Sequence, residues 1–141
     1  MHIKLTDGQP QPYSLGQLRR DNPQVSFPAT IPADTLAEYD VYEVTATQQP
    51  NYDGDTHTAA QAIELVDGVW TQVWTVEPLP QEQVEANMRS IRGSKLAESD
   101  WTQVADAPVD KEAWAAYRQA LRDVPSQPGF PYSVIWPVQP S

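Results

Sequence analysis

Few side chains in this sequence have the types and spacing that metal binding requires. The two histidines, His2 and His57, stand far apart, and neither has a second ligand at metal-binding spacing. Segment 53–57 carries two aspartates, but it lacks the acidic residue at the twelfth position of a calcium loop. The sequence contains no cysteine, which excludes disulfides and thiolate ligands. We therefore expect no metal site.

The sequence also offers no candidate residues for nucleophilic or acid–base catalysis. Ser14, Ser94 and Ser99 have no recognisable histidine partner, and no Gly-x-Ser-x-Gly motif is present. The glycines form no phosphate-binding loop, and no two carboxylates can be placed face to face. The sequence therefore predicts neither an enzyme nor a cofactor site.

Aromatic side chains are the remaining residues suited to binding, and those of residues 100–141 occur together with two arginines. Trp, Tyr and Arg dominate the hot spots of protein interfaces. Arg118 and Arg122 lie four positions apart on the predicted helix and are suited to bidentate binding of acidic groups on the front domain or on a partner. The partner-binding surface that we expect consists of Trp101, Trp114, Tyr117, Arg118, Leu121, Phe130 and Trp136.

The last 18 residues, 124–141, form a tail without a charged side chain but with five prolines. Proline restricts φ, so ordering this tail costs less entropy than ordering an ordinary segment. The composition predicts an extended segment that lies against a surface. That surface belongs either to a partner or to the chain itself, in which case the tail folds back over the preceding helix and forms a small core. The two interpretations are compatible.

Two helices are predicted in the C-terminal half. The first follows Pro80, which suits the first helical position, and ends near Ala97. The second has Asp110 as its N-cap, and its spacing places Trp114, Tyr117, Arg118 and Leu121 on one face. Pro125 ends it.

The front of the chain predicts short strands and helices. Residues 2–5 and 38–47 are strand-like, Ser14 suits the N-cap of a short helix, and Asp34 that of a single turn. Asp67-Gly68 between runs 60–66 and 69–76 is typical of a hairpin with a type I′ turn. We expect one hairpin face to pack into the core, namely the face with Ile63, Leu65, Trp70, Trp74 and Val76.

These elements predict the α+β class, with a small antiparallel sheet and short helices followed by a helix and an extended tail. The expected parts are an α+β domain over residues 1–78, a connecting helix over 79–99, and a helix with tail over 100–141. The net charge is −10, and residues 1–80 carry most of it, which disfavours binding to nucleic acid or anionic lipid. Neither a signal peptide nor a membrane span is recognisable, so we expect a soluble cytoplasmic protein.

The C-terminal third resembles the phage tail assembly chaperone family. The residues that carry the resemblance are Leu96-Ala97-Glu98-Ser99-Asp100-Trp101-Thr102, Asp106-Ala107-Pro108, Trp114-Ala115-Ala116-Tyr117-Arg118, Leu121-Arg122-Asp123, Pro125, Pro128-Gly129-Phe130-Pro131 and Trp136-Pro137. A subset of them is also similar to the end of tail fibre assembly proteins.

The resemblance implies a non-enzymatic bacteriophage protein that binds tail or tail-fibre proteins and assists their assembly. Its partner would be a fibre or baseplate protein, and it would act in the cytoplasm of the host bacterium. The alternative is a permanent part of the virion tail, such as a fibre or baseplate adaptor. The resemblance does not extend to residues 1–80.

Overall fold

A computed structural model describes all 141 residues of the chain. Strands and short helices occur together without βαβ alternation, which confirms the predicted α+β class. In chain order the elements are β1 (His2–Thr6), β2 (Gln9–Pro12), α1 (Leu15–Asp21), α2 (Ala33–Ala37), β3 (Val41–Glu43), β4 (His57–Val66), β5 (Val69–Pro78), α3 (Gln81–Glu98), a first 3-10 helix (Asp100–Gln103), α4 (Lys111–Arg122) and a second 3-10 helix (Val124–Ser126).

The chain divides into two compact units. The first unit comprises Met1–Asn51 and Ala59–Val76, and the second comprises Tyr52–Thr58 and Glu77–Ser141. The division into residues 1–78, 79–99 and 100–141 stays a prediction about independently folding parts.

A three-stranded antiparallel sheet with the order β2-β1-β3 forms one part of the first unit. Asp7 and Gly8 connect β1 to β2 with φ of 51° and 78°. Pro10 and Pro12 lie on β2, at the edge of the sheet, where a missing N–H leaves no ladder bond unmade. The prolines indicated only an extended chain, so the pairing of β2 was not predicted.

Two short helices cover this sheet and build its core. The buried residues are Leu18, Ile31, Leu36 and Val41, and partly buried Tyr13, Leu15, Phe27 and Tyr39 pack against them. Ser14 caps α1 as predicted, because its Oγ accepts the Gln17 N–H at 3.0 Å. The prediction that Asp34 caps α2 was wrong: Pro32 precedes the helix, and Asp34 lies within its first turn. The strand predicted over residues 38–47 is shorter in the structure, where only β3 is formed. Its start is delayed because Asp40 turns the chain with φ of 57°.

Strands β4 and β5 form the predicted hairpin. Asp67 and Gly68 have φ of 49° and 80°, and positive φ at both central residues is what a type I′ turn requires. The expectation that one face packs into the core was wrong, because Leu65 is 57% exposed and Val76 is also exposed. Trp70 and Trp74 are only half-buried. A ten-residue strand spans about 33 Å, which is more than the small core of this unit can cover.

Helices α3 and α4 are the main elements of the second unit. Pro80 immediately precedes α3, which continues through Gly93 to Glu98 and buries Val84 and Met88. Asp110 caps α4 as predicted, and its Oδ1 accepts the Ala113 N–H at 3.1 Å. None of the helices has the length and apolar character needed to cross a bilayer.

Candidate functional site

One face of α4 carries four of the residues predicted to bind a partner. Tyr117 and Leu121 are buried, with 4% and 0% of their surface exposed, whereas Trp114 is half-buried. Trp114, Tyr117 and Leu121 are three and four positions apart, so the helical period places them on the same, inward-facing side of α4. In this conformation Tyr117 and Leu121 hold the unit together rather than presenting their side chains at its surface.

The guanidinium of Arg118 connects α4 to the C-terminal end of α3. It donates to the Leu96 carbonyl at 2.6 Å and to Ser99 Oγ at 2.7 Å, and it forms an ion pair with Asp100 at 2.7 Å. The Leu96 carbonyl is one of the last four carbonyls of α3, and these have no N–H donor within the helix. A cation at a helix C-terminus is also favoured by the helix dipole. Arg118 is therefore engaged within the second unit.

Three aromatic side chains form a row that leads from the surface into the second unit. The ring centroids of Trp101 and Trp114 are 6.2 Å apart, and those of Trp114 and Tyr117 are 5.6 Å apart in an edge-to-face arrangement. These distances lie in the range of favourable aromatic pairs. Trp101, on the first 3-10 helix, remains 51% exposed, and Val104 beside it is equally exposed. The row thus ends in an apolar surface patch, defined here as the Trp101 patch: Trp101, Val104 and the exposed edge of Trp114.

The tail folds back within the second unit, and its rings lie against basic side chains of α3. The Phe130 ring is 5.9 Å from the Arg89 guanidinium, and the Trp136 ring is 5.6 Å from Lys95 Nζ. Both distances suit cation–π contacts. The intramolecular interpretation placed the tail over the helix of Trp114, but the contacts of these two rings are with α3.

Polar contacts fix the path of the tail. The Gln127 side chain donates to the Ile135 carbonyl and accepts the Ile135 N–H, both at 2.8 Å. Tyr132 donates to the Leu79 carbonyl at 2.6 Å. Residues 127–133 form consecutive turns, and residues 134–141 have no regular secondary structure.

The tail leaves two large aliphatic side chains in solvent. Ile135 is 81% exposed and Val138 is 89% exposed. A shallow depression of about 440 Å³ lies beside Ile135, lined also by Gln127, Pro128, Gly129 and Ser133. Ile135, Val138 and Val104 were not among the predicted binding residues, which were aromatic residues, one arginine and one leucine. For Ile135 and Val138 the available signal was an aliphatic residue in a segment without charge, whereas Val104, between Asp100 and Asp106, had no such signal.

Titratable side chains give no sign of a reactive centre. No three His, Asp or Glu side chains are placed to hold a metal ion. In the first unit, desolvation and a hydrogen bond to the Asp21 carboxylate raise the pKa of Tyr13 to about 12. A tyrosine shifted upward in this way is less available as an acid or base near neutral pH. What the arrangement offers chemically is apolar surface for binding another molecule.

Comparison with known proteins places the C-terminal part of the chain in a family context. Residues 85–141 match the family described as phage tail assembly chaperone protein. This range contains α4, the Trp101 patch and the tail, and it confirms the resemblance seen in the sequence. No curated protein and no solved structure matches the chain significantly.

Proposed function

We propose that this chain is a non-enzymatic bacteriophage protein that binds an unassembled tail or tail-fibre protein and assists its assembly. The observation that carries the proposal is the Trp101 patch, which lies inside the range that matches the chaperone family. A half-exposed tryptophan supported by a second ring is the kind of rigid anchor that dominates interfaces. The site would act in the host cytoplasm, before the partner is incorporated into the tail.

The energetics favour contact with an apolar surface of the partner. Burying an exposed aromatic or aliphatic side chain gains about 1.5–3 kcal/mol. The Trp101–Trp114 pair is already packed, so binding fixes few additional rotamers. An assembly chaperone needs to bind apolar surface, because the surface that it covers on the unassembled partner becomes buried in the assembled tail.

Among the predicted partner-binding residues, the exposed ones contact the partner directly and the buried ones support them. Trp101 and Trp114 would contact the partner, while Tyr117, Arg118 and Leu121 hold these rings in place. Phe130 and Trp136 position the tail on α3, and Ile135 and Val138 would extend the contact area. The expected partner is a fibre or baseplate protein.

Co-purification tests the proposal. The chain is co-expressed with the tail and fibre proteins of the same phage, and complexes are isolated from the unmodified chain and from the variant Trp101→Ser. We expect Trp101→Ser to weaken the complex by at least about tenfold, the free-energy equivalent of about 1.4 kcal/mol. Val25→Ser, which changes an exposed apolar residue of the first unit, is the matched control and should bind normally.

Two results would contradict the proposal. One is equal binding by Trp101→Ser and the unmodified chain; the other is the absence of any complex with a tail protein. The alternative, a permanent virion component, is distinguished by the composition of purified virions. A chaperone is absent from them, whereas a fibre or baseplate adaptor is present in a fixed ratio to the other tail proteins.

A further inference from the structure

The outer edge of β4 has no backbone partner. β4 and β5 form a two-stranded sheet, and the other edge of β5 is occupied by residues that follow β3. Thr45 donates to the Trp70 carbonyl and accepts the Gln72 N–H, both at 2.9 Å. No corresponding segment pairs with β4. One side of the hairpin is therefore closed, and the other is open.

The hydrogen bonds of β5 identify which β4 groups point outward. Trp70 and Gln72 direct their backbone groups away from β4, toward Thr45. A two-residue loop places Leu65 opposite Trp70 and Ile63 opposite Gln72, and outward-facing residues alternate along a strand. The outward backbone groups of β4 are therefore those of Ala59, Gln61, Ile63 and Leu65.

This edge lacks the features by which proteins prevent strand addition. Edge strands are normally short, bulged, or protected by lysine or proline. β4 has ten residues and contains no proline, lysine or arginine. Three alanines lie near its centre, and Leu65 and Val66 at its turn end are 57% and 42% exposed. The strand offers both free backbone groups and apolar contact.

We propose that the outer edge of β4 binds an extended segment of a partner protein by β-strand addition, and that this segment carries basic residues. The hairpin contains the carboxylates of Glu64, Asp67 and Glu77 and no lysine or arginine. A second copy of the chain would bring the same carboxylates and a net charge of −10, so self-pairing is opposed by repulsion. Opposite charge on the incoming strand removes this repulsion and steers the encounter.

The site belongs to the first unit and lies outside residues 85–141, which match the chaperone family. It does not depend on the Trp101 patch, and a substitution can remove binding at one surface without affecting the other. Loss of tail-protein binding in Trp101→Ser leaves the β4 proposal unaffected.

A labelled peptide tests the proposal on the full-length chain. The probe has ten residues that alternate valine and threonine, with two lysines added at each end. Its matched control carries glutamates in place of the lysines. We expect saturable binding of the lysine peptide by fluorescence anisotropy, and binding of the glutamate peptide that is at least about tenfold weaker because of like-charge repulsion.

Gln61→Pro removes an outward N–H without removing a bond to β5, and proline is tolerated at such edge positions. We expect this variant to lose peptide binding while Gln61→Thr, which keeps the N–H, retains it. Amide hydrogen exchange on the unmodified chain supplies a second readout that needs no variant. Bound peptide should slow exchange at Gln61 and Ile63 and leave Ala60 and Ala62, whose N–H groups face β5, unchanged.

Three outcomes would overturn the proposal. They are the absence of saturable peptide binding, equal binding by Gln61→Pro with unchanged exchange at Gln61 and Ile63, and a concentration-dependent dimer that Gln61→Pro dissociates. The last outcome would assign the edge to a second copy of the chain.

Discussion

Arg118 reaches from α4 to the Leu96 carbonyl, at the end of α3, across 22 positions of sequence. Its guanidinium side chain is 11% exposed, whereas its ion-pair partner Asp100 is 67% exposed. Exposed ion pairs contribute little to stability, but a charged donor bonded to a shielded carbonyl contributes about 1.5–3 kcal/mol. The bond to Leu96 and not the ion pair should therefore dominate the role of Arg118.

Replacement of each partner separates the two contributions. We expect Arg118→Met to lower the free energy of unfolding by about 1.5–3 kcal/mol, because the donor to Leu96 and Ser99 is lost. Asp100→Asn should cost less than about 1 kcal/mol. Urea denaturation measures both. A cost for Asp100→Asn equal to that of Arg118→Met would assign the stabilisation to the ion pair instead.

The hydroxyl of Tyr117 is buried and has no hydrogen-bond partner. Its ring packs edge-to-face on Trp114 at 5.6 Å. We expect Tyr117→Phe to keep or raise the stability, by up to about 1 kcal/mol, since an unpaired buried polar group is removed. Tyr117→Ala should cost about 3–5 kcal/mol because it leaves a cavity. Thermal unfolding of the two variants compares the roles of hydroxyl and ring, and a clear loss in Tyr117→Phe would reveal a partner for the hydroxyl.

Local signals made α4 predictable. Asp110 as N-cap, the spacing of Trp114, Tyr117 and Leu121, and Pro125 beyond the end all act within a few residues of one another. The Asp67-Gly68 turn was predictable for the same reason, because two residues determine its backbone conformation. The shared helix face of these residues was therefore predictable, whereas their role in partner binding stays a prediction.

The features of the fold and of the candidate site that depend on long-range packing could not be predicted from the sequence. Alternation along β4 and β5 indicates which side chains share a face, but it does not indicate whether another element covers that face. The contacts of Phe130 with Arg89 and of Trp136 with Lys95 join residues about 40 positions apart, and no local pattern encodes them. Proline content predicted an ordered tail without identifying α3 as the helix it contacts. Side chains such as Ile135 became candidates only when their exposure was known.

Gly129 is required by a close approach in the tail. A Cβ at this position would lie 2.5 Å from the Ser133 carbonyl oxygen, whose residue also donates its N–H to the Gly129 carbonyl at 2.8 Å. We expect Gly129→Ala to open this turn and to lower the melting temperature. Gly93→Ala is the matched control: a Cβ there contacts nothing, and alanine favours α3 by about 0.8–1 kcal/mol. Opposite shifts in the two variants are expected, and a neutral Gly129→Ala would disprove the tight turn.

The hydrogen bond from Tyr13 to Asp21 predicts a dependence of stability on alkaline pH. Because the folded state raises the pKa of Tyr13 from 10.0 to about 12, it holds the phenol proton more tightly than the unfolded state does. The resulting stabilisation is complete below pH 10 and is lost as the pH rises toward 12. Tyr13→Phe should flatten the decline of stability between these values. Denaturation at a series of pH values tests this, and an unchanged slope would contradict it.

The type I′ turn of the hairpin predicts a conformational cost at Gly68. Its φ is 80°, and a Cβ there would contact nothing within 4 Å, so any penalty arises from the backbone and not from a clash. A β-branched residue strongly resists positive φ. We therefore expect Gly68→Val to cost more than about 1 kcal/mol, and Gly68→Asn to cost less, since asparagine tolerates this conformation.

Gly54→Val is the control, because Gly54 also has open space around it but does not have a positive φ. Thermal unfolding reports the global effect, and amide exchange at Val66 and Val69 reports the opening of the hairpin itself. Faster exchange at these two amides in Gly68→Val alone is the expected result. Unfolding of Gly68→Val at the midpoint of the unmodified chain, with unchanged exchange, would refute the assignment of the turn.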